Sequence, residues 1–345
     1  MAYFRDNIER MAGYTPGFQP KGTDVVKLNT NENPYPASPT VLKAIGAITA
    51  EQLRRYPDPT GESFRKTAAD VLGVRPENIL CTNGGDDLLT ICVRACCDAG
   101  RPLAYAQPTY SLYPVLAAIQ DCPVIEIDRN TPDMLGQLAK ADAALTIVCN
   151  PNAPTCDRLP VDALANLASK LSGVLLVDEA YVDFAEEDAL WLTLHFDNVL
   201  LLRSMSKGYS LAGMRFGFGI GVVELIDGLM KVQDSYPVDA IALQAATAAI
   251  RDQAYFKENI AKIKAERDRL TEALRALGLG VPDSQTNFVL AQYPNAKAVF
   301  KALTEAAIFV RYFKLPHLED KLRITVGTPE QNDKLLAALK TILAV

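Results

Sequence analysis

An α/β fold built on a largely parallel sheet is predicted for this chain by three features of its sequence. Between about Asn78 and Gly221, short apolar runs alternate with amphipathic stretches, the pattern of strands joined by crossover helices. The runs Leu145-Thr146-Ile147-Val148-Cys149, Val174-Leu175-Leu176-Val177 and Val199-Leu200-Leu201-Leu202 lack the polar alternation of a half-exposed strand, as expected where helices cover both faces. Each run then stops at a polar loop, beginning at Asn150, Asp178 and Arg203 respectively. Ligands of open α/β sheets sit beyond the carboxyl ends of the strands, so these loops are where chemistry is expected.

Taken in order, Met1 to Gln19 reads as a helix followed by an arm that ends near the Pro16-Gly17 turn. Ile79 to Thr82 reads as a short strand. The Asn83-Gly84-Gly85 turn after it opens a helix with Asp86 and Asp87 in its first turn, which makes an anion cradle from outward-pointing N–H groups, or simply a tight turn. Prolines fix the loop Asn150-Pro151-Asn152-Ala153-Pro154-Thr155, where the amide of Asn152 can meet a polar ring substituent. Beyond Tyr236-Pro237 the pattern changes to a charged helix, about Gln253 to Leu277, then strands near Asn287 to Gln292 and Leu322 to Val326, and a terminal helix. The division predicted is an N-terminal arm on the side of the small domain, 1–35, a large domain, 36–235, and a smaller α+β domain, 236–345. The charge run Lys257 to Arg269 reads as a solvated helix face.

Two segments carry the strongest chemical signal. Arg203-Ser204-Met205-Ser206-Lys207-Gly208, followed by Gly213-Met214-Arg215-Phe216-Gly217, gathers a lysine, hydroxyls and arginines among small residues. A lysine among other cations and partly out of water loses its proton near neutrality and can attack a carbonyl to form a Schiff base. The hydroxyls and Arg215 can hold a phosphate on the same ligand. Taken alone, Lys207 also fits a solvated surface charge. Asp178 falls at a strand end, where a carboxylate can keep a pyridine nitrogen protonated or can merely cap a helix.

With these residues in place, the chain resembles the fold-type I pyridoxal-phosphate aminotransferases, and within them the histidinol-phosphate aminotransferase family. The resemblance rests on Leu28-Asn29-Thr30-Asn31-Glu32-Asn33-Pro34, Arg55-Tyr56-Pro57-Asp58, Asn83-Gly84-Gly85-Asp86-Asp87, Pro108-Thr109-Tyr110, Asn150 to Thr155, Asp178-Glu179-Ala180-Tyr181, Ser204-Met205-Ser206-Lys207, Thr286-Asn287-Phe288 and Leu322 to Gly327, in family order over nearly the whole chain. It implies a large domain with a mostly parallel seven-stranded sheet and pyridoxal 5′-phosphate as cofactor. Lys207 then matches the lysine that bonds the cofactor, Asp178 the partner of the ring nitrogen, and Tyr181 and Asn152 the groups near the ring's phenolic oxygen. Ser204, Ser206, Arg215 and the backbone at Gly85 and Asp86 match the phosphate cradle. Tyr110 matches the aromatic over the ring, and Tyr56 the tyrosine that reaches the phosphate from the neighbouring subunit of a homodimer. Arg323, Arg311, Tyr14 and Asn31 fall where the family contacts substrate. The sequence departs from the common Asn-Pro-Asn-Asn-Pro-Thr-Gly loop at Ala153 and Cys156.

The resemblance implies transamination between L-histidinol phosphate and 2-oxoglutarate. An aromatic aminotransferase and a threonine-phosphate decarboxylase share the same electron sink and stay open, as does a non-catalytic cofactor-binding regulator, which the intact lysine, aspartate and arginine set argues against. Composition fits a cytoplasmic enzyme: 345 residues with 49% hydrophobic content can bury more than one core, and a net charge of −6 argues against a nucleic-acid surface. No run has transmembrane length, and the first residues lack the apolar stretch of a signal peptide. Seven cysteines, an odd number, point to reduced thiols. Cys92, Cys96 and Cys97 read as buried helix residues rather than metal ligands, and no metal site is expected.

Overall fold

The structure, a computed structural model, describes residues 3–22 and 24–344, so Met1 and Ala2 of the expected N-terminal helix lie outside the described residues. Its strands are β1 Val26–Lys27, β2 Ile79–Thr82, β3 Leu103–Gln107, β4 Val124–Asp128, β5 Leu145–Cys149, β6 Val174–Asp178, β7 Val199–Ser204, β8 Gly217–Ile220, β9 Phe288–Gln292, β10 Ile308–Phe309, β11 Arg311–Tyr312 and β12 Lys321–Thr325. Seven of them form one sheet in the order β2-β8-β7-β6-β5-β3-β4. All its pairings are parallel except those of β8, which runs antiparallel to β7 and β2.

The continuous apolar runs follow from coverage on both faces. Along β6 and β7, Leu175, Val177, Val199 and Leu201 point into one core, with helices Glu62–Leu72, Val161–Ala168 and Ala240–Arg251. Leu176, Leu200 and Leu202 point into the other, with helices Gly85–Cys96, Leu112–Gln120 and Val223–Met230. Successive side chains of a strand face opposite ways, so a strand buried on both sides needs apolar residues throughout. In register, Cys149 lies beside Asp178, and Asp178 beside Leu202. The loops after β5, β6 and β7 therefore open at one sheet edge.

The remainder forms the antiparallel sheet β11-β12-β9, covered by helices Gln253–Ala276, Ala296–Glu305 and Pro329–Leu343 around Leu270, Val289, Ile324 and Leu335. The N-terminal arm is divided between the two halves rather than confined to the small side. Arg5 and Asn7 donate to the carbonyls of Ile119 and Ala118, in the last turn of helix Leu112–Gln120, whereas β1 pairs with β10. The helix Gln253–Ala276 also departs from a purely solvated face. Glu266 and Arg267 are buried, with Arg267 donating to the carbonyls of Phe184 and Thr286 and Glu266 accepting from Arg269 and Asn332. Buried charges persist when every polar atom finds a partner, and a charge run alone does not reveal those partners. All seven cysteines are buried free thiols.

Candidate active site

The sheet edge opens into a cleft of about 1180 Å³ that the large sheet, the arm and the small sheet share. Lys207, Asp178, Tyr181, Gly85, Asp86, Tyr110, Ser204, Ser206, Arg215, Arg323, Arg311, Tyr14 and Asn31 all line it. Asn152 and Tyr56 do not.

Lys207 sits in the connection between β7 and β8. Asn33 Nδ2 donates to the carbonyls of Lys207 and Gly208 and holds this backbone, and a Cβ at Gly208 would run into Asp183 and Phe256. Among the described residues the lysine ammonium has only a long bond to the Thr30 carbonyl, 3.4 Å, and it stands 5.8 Å from the Tyr181 ring. Burial pushes its pKa down to about 8, with further lowering from Arg323 and Arg215, while Glu32 and Asp86 oppose the shift. A minority of the amine is thus already uncharged and nucleophilic near neutral pH.

Asp178 ends β6 and is 4% exposed. Its Oδ2 accepts from the Tyr113 hydroxyl at 2.6 Å and its Oδ1 from the Ala180 N–H at 3.1 Å. Burial raises its pKa, and those two bonds hold the rise in check. The result is a carboxylate fixed in direction at the floor of the cleft. Behind it, Arg203 Nε donates to Glu179 Oε2 at 2.7 Å, tying the end of β7 to the end of β6.

Another part of the cleft wall pairs a helix start with Arg215. Gly84, at φ 86°, turns the chain into helix Gly85–Cys96, whose opening N–H groups have no intrahelical acceptor. Arg215 holds a left-handed φ of 49° and extends over this turn; a Cβ at Gly84 would come within 3.0 Å of Arg215 Nη2. Gly217 of β8 presses from the far side, where a Cβ would lie 2.7 Å from the Gly84 carbonyl carbon. Arg215 Nη2 contacts Asp86 Oδ2 at 3.3 Å, and Ser204 Oγ accepts from the Ser206 N–H. Free N–H groups, hydroxyls and a guanidinium converge as an anion of phosphate size requires. Tyr110 covers one side of the cleft, its hydroxyl donating to Asp86 Oδ1, with Tyr14 edge-on at a centroid distance of 6.0 Å.

Toward the small sheet, Arg323 of β12 and Arg311 of β11 are register partners and both lie over the Phe313 ring. Arg323 Nη2 donates to the Asn29 carbonyl, but its buried Nε has no partner among the described residues. The residue lines the cleft, and a guanidinium with hydrogen-bonding capacity to spare suits an incoming anion.

Asn152 and Tyr56 lie outside this cleft. The Asn152 side chain is fully buried, accepting from Thr109 Oγ1 and donating to the Pro108 carbonyl and Thr155 Oγ1; the neighbouring Ala153 lines the cleft instead. Tight turns point adjacent residues in different directions, and the motif alone does not say which one faces the ligand. Cys156 adopts φ 63°, a left-handed conformation that glycine takes at no cost. Tyr56 is 80% exposed and stacks on Tyr236 at 4.3 Å. Sequence reasoning passed over Tyr113, Thr109 and Glu32. Tyr113 carried a usable signal, since a tyrosine within an apolar helix needs a buried partner for its hydroxyl.

A profile of the aminotransferase class I and II family matches residues 23–339, and the chain belongs to that family. Among its relatives, histidinol-phosphate aminotransferase 1 of Nostoc sp. is 53% identical, with 99% of this chain and 98% of the relative covered. The protein of the same name from Trichormus variabilis is 51% identical, with 99% of each covered. Among solved structures, histidinol-phosphate aminotransferase from Sinorhizobium meliloti in complex with pyridoxal-5′-phosphate superposes with a TM-score of 0.91 at 27% identity, over 100% of this chain and 98% of that one. The L-threonine-O-3-phosphate decarboxylase of Porphyromonas gingivalis, at 24% identity and a TM-score of 0.82, shares the fold.

Proposed function

We propose that the protein is a pyridoxal-phosphate-dependent aminotransferase that exchanges an amino group between L-histidinol phosphate and 2-oxoglutarate. The observation that carries this reading is the convergence, in one cleft, of a lysine depressed toward neutrality, a buried carboxylate and a phosphate-sized cationic cradle. The donor set suits the cofactor: the backbone N–H groups at Gly85 and Asp86 with Ser204, Ser206 and Arg215 for its phosphate, Asp178 for its ring nitrogen, Tyr181 for its phenolic oxygen, Tyr110 for its ring face and Lys207 for its carbonyl. When bound, pyridoxal phosphate supplies the carbonyl and the electron-accepting ring that transamination needs.

The chain's own groups account for the rest. Asp178 holds negative charge against the ring nitrogen because Tyr113 and Ala180 stabilise its ionised form. Lys207 Nζ, uncharged at modest cost, takes the proton from the substrate Cα and returns one, as a general base poised near the working pH. Arg323, whose guanidinium lines the cleft, orients a substrate carboxylate or phosphate, and Arg311 and Tyr14 close the same end. The names of the relatives at 51% and 53% identity support histidinol phosphate as donor. Mixing purified protein with histidinol phosphate and 2-oxoglutarate should yield glutamate, and parallel reactions with threonine phosphate and with phenylalanine should be far slower. Preference for either comparison substrate would overturn the assignment.

The same reading includes a cytoplasmic homodimer in which Tyr56 completes the partner's cradle. The supporting observation is that Tyr56 and Tyr236, both exposed, form a stacked aromatic pair outside the chain's own cleft. Hybrids of Tyr56→Ala and Lys207→Ala subunits should regain activity, since one site then has both native residues. No recovery despite subunit exchange would place Tyr56 outside any shared site.

A further inference from the structure

Tyr181 is read above as the group beside the phenolic oxygen of the cofactor, yet a phenol can either donate or accept, and its direction decides what it does there. Three buried residues fix that direction. The Asn31 N–H donates to Thr325 Oγ1 at 3.0 Å. Thr325 Oγ1 also lies 3.1 Å from Asn31 Oδ1, and Asn31 Nδ2 lies 2.9 Å from Tyr181 Oη. Having accepted from the backbone, the threonine hydroxyl has one proton to place, and the Asn31 amide oxygen receives it. Were the amide turned over, this oxygen would face Tyr181 and the threonine proton would be left buried without an acceptor. Such an orphan costs about 1–3 kcal/mol, which favours the first arrangement about fivefold to 150-fold. Asn31 cannot swing away to avoid the choice, because Asn287 Nδ2 holds its carbonyl at 3.0 Å and its side chain is 1% exposed.

The amide NH₂ therefore points at Tyr181, whose oxygen accepts. This is the hydrogen bond that Tyr181 makes among the described residues, so its own proton is left for the cleft it lines. The neighbouring loop offers no second donor, since Ala153 presents a methyl and the Asn152 amide is engaged behind it. We propose that Asn31, polarised by Thr325, is a positioning residue that fixes the Tyr181 hydroxyl as an obligate donor to an oxygen anion in the cleft, namely the phenolic oxygen of pyridoxal phosphate. Asn31 thus serves Tyr181 rather than the substrate. The inference rests on the cofactor reading above.

The test is a spectrophotometric pH titration of the visible band of the cofactor in the holoenzyme. A donor to the phenolic oxygen stabilises its anion, so removing it raises the pH at which the lysine-bound chromophore gives up its proton. Asn31→Asp is nearly isosteric but presents an oxygen to Tyr181, which must then donate backwards. It should raise the midpoint by about 1–2 pH units, the size of one charge-assisted hydrogen bond. Tyr181→Phe should do the same, and Asn31→Asp should add almost nothing in the Tyr181→Phe background. Thr325→Val, which frees the amide to turn, should give a smaller rise and covers the case in which Asn31→Asp does not fold. Arg323, Lys207, Asp178 and the Cys149 thiol, the other titratable groups around Tyr181, are retained in every variant. An unshifted midpoint in Asn31→Asp and Thr325→Val would overturn the proposal. So would an Asn31→Asp shift that persists in the Tyr181→Phe background, because it would then reflect the new charge alone. A wild-type protein that binds no pyridoxal phosphate would instead overturn the cofactor reading.

Discussion

Replacing Asn152 by alanine separates two accounts of the loop after β5. A residue that contacts the cofactor would lose cofactor affinity on truncation, whereas the structure gives Asn152 a purely internal task. Its amide joins Thr109 Oγ1 at 2.8 Å, the Pro108 carbonyl at 3.0 Å and Thr155 Oγ1 at 2.6 Å. Each such bond contributes about 1 kcal/mol net, and partners left dry cost more. Asn152→Ala should therefore destabilise the cofactor-free protein by about 3 kcal/mol, read as a lower midpoint in denaturant unfolding followed by fluorescence and circular dichroism. Equilibrium titration with pyridoxal phosphate, well below the unfolding transition, should show an affinity within about threefold of wild type, less than 1 kcal/mol. A tenfold or greater loss of affinity with unchanged stability would refute this reasoning and return Asn152 to the cofactor.

Two further outcomes follow from the same geometry. In the cofactor-free protein, the rate at which Lys207 captures pyridoxal phosphate should rise with pH to a plateau with a midpoint of about 8, because only the uncharged amine reacts. Arg323→Met removes a like charge and should move that midpoint up; a wild-type midpoint above 10 would show that the lysine is solvated. Tyr113→Phe removes the 2.6 Å donor from Asp178 Oδ2, which lets the carboxylate pKa climb further. Turnover should fall about tenfold to a hundredfold, the equivalent of one hydrogen bond to a charged group, with cofactor still bound. Unchanged turnover would remove Tyr113 from the site.

The sheet was legible because strands buried on both faces must be apolar throughout, and the runs 145–149, 174–177 and 199–202 coincide with β5, β6 and the body of β7. The positions of Asp178 and Lys207 were legible for the same reason, since each follows such a run and so lies beyond the carboxyl end of a strand, where the cleft opens. What escaped was pairing at long range. Tyr113 and Asp178 are 65 positions apart, Asn31 and Tyr181 150, and Asn31 and Thr325 294, and nothing local in the sequence brings them together. Asn31 was accordingly assigned to substrate, although its amide is engaged by Tyr181 and Thr325. The orientation of Asn152 escaped because it depends on the backbone angles of a proline-bound turn. The burial of Glu266 and Arg267 escaped because the carbonyls of Phe184 and Thr286, which satisfy Arg267, lie in other segments.

The central claim is that the cleft at the ends of β5, β6 and β7 is the transamination site, with Lys207 as its reactive amine. Borohydride reduction of the purified protein in the presence of pyridoxal phosphate, followed by peptide mapping, tests it directly. The account predicts one cofactor-derived mass addition per chain, on the peptide that contains Lys207, and its loss in Lys207→Ala. A stable addition on any other lysine, with Lys207 unmodified, would contradict it.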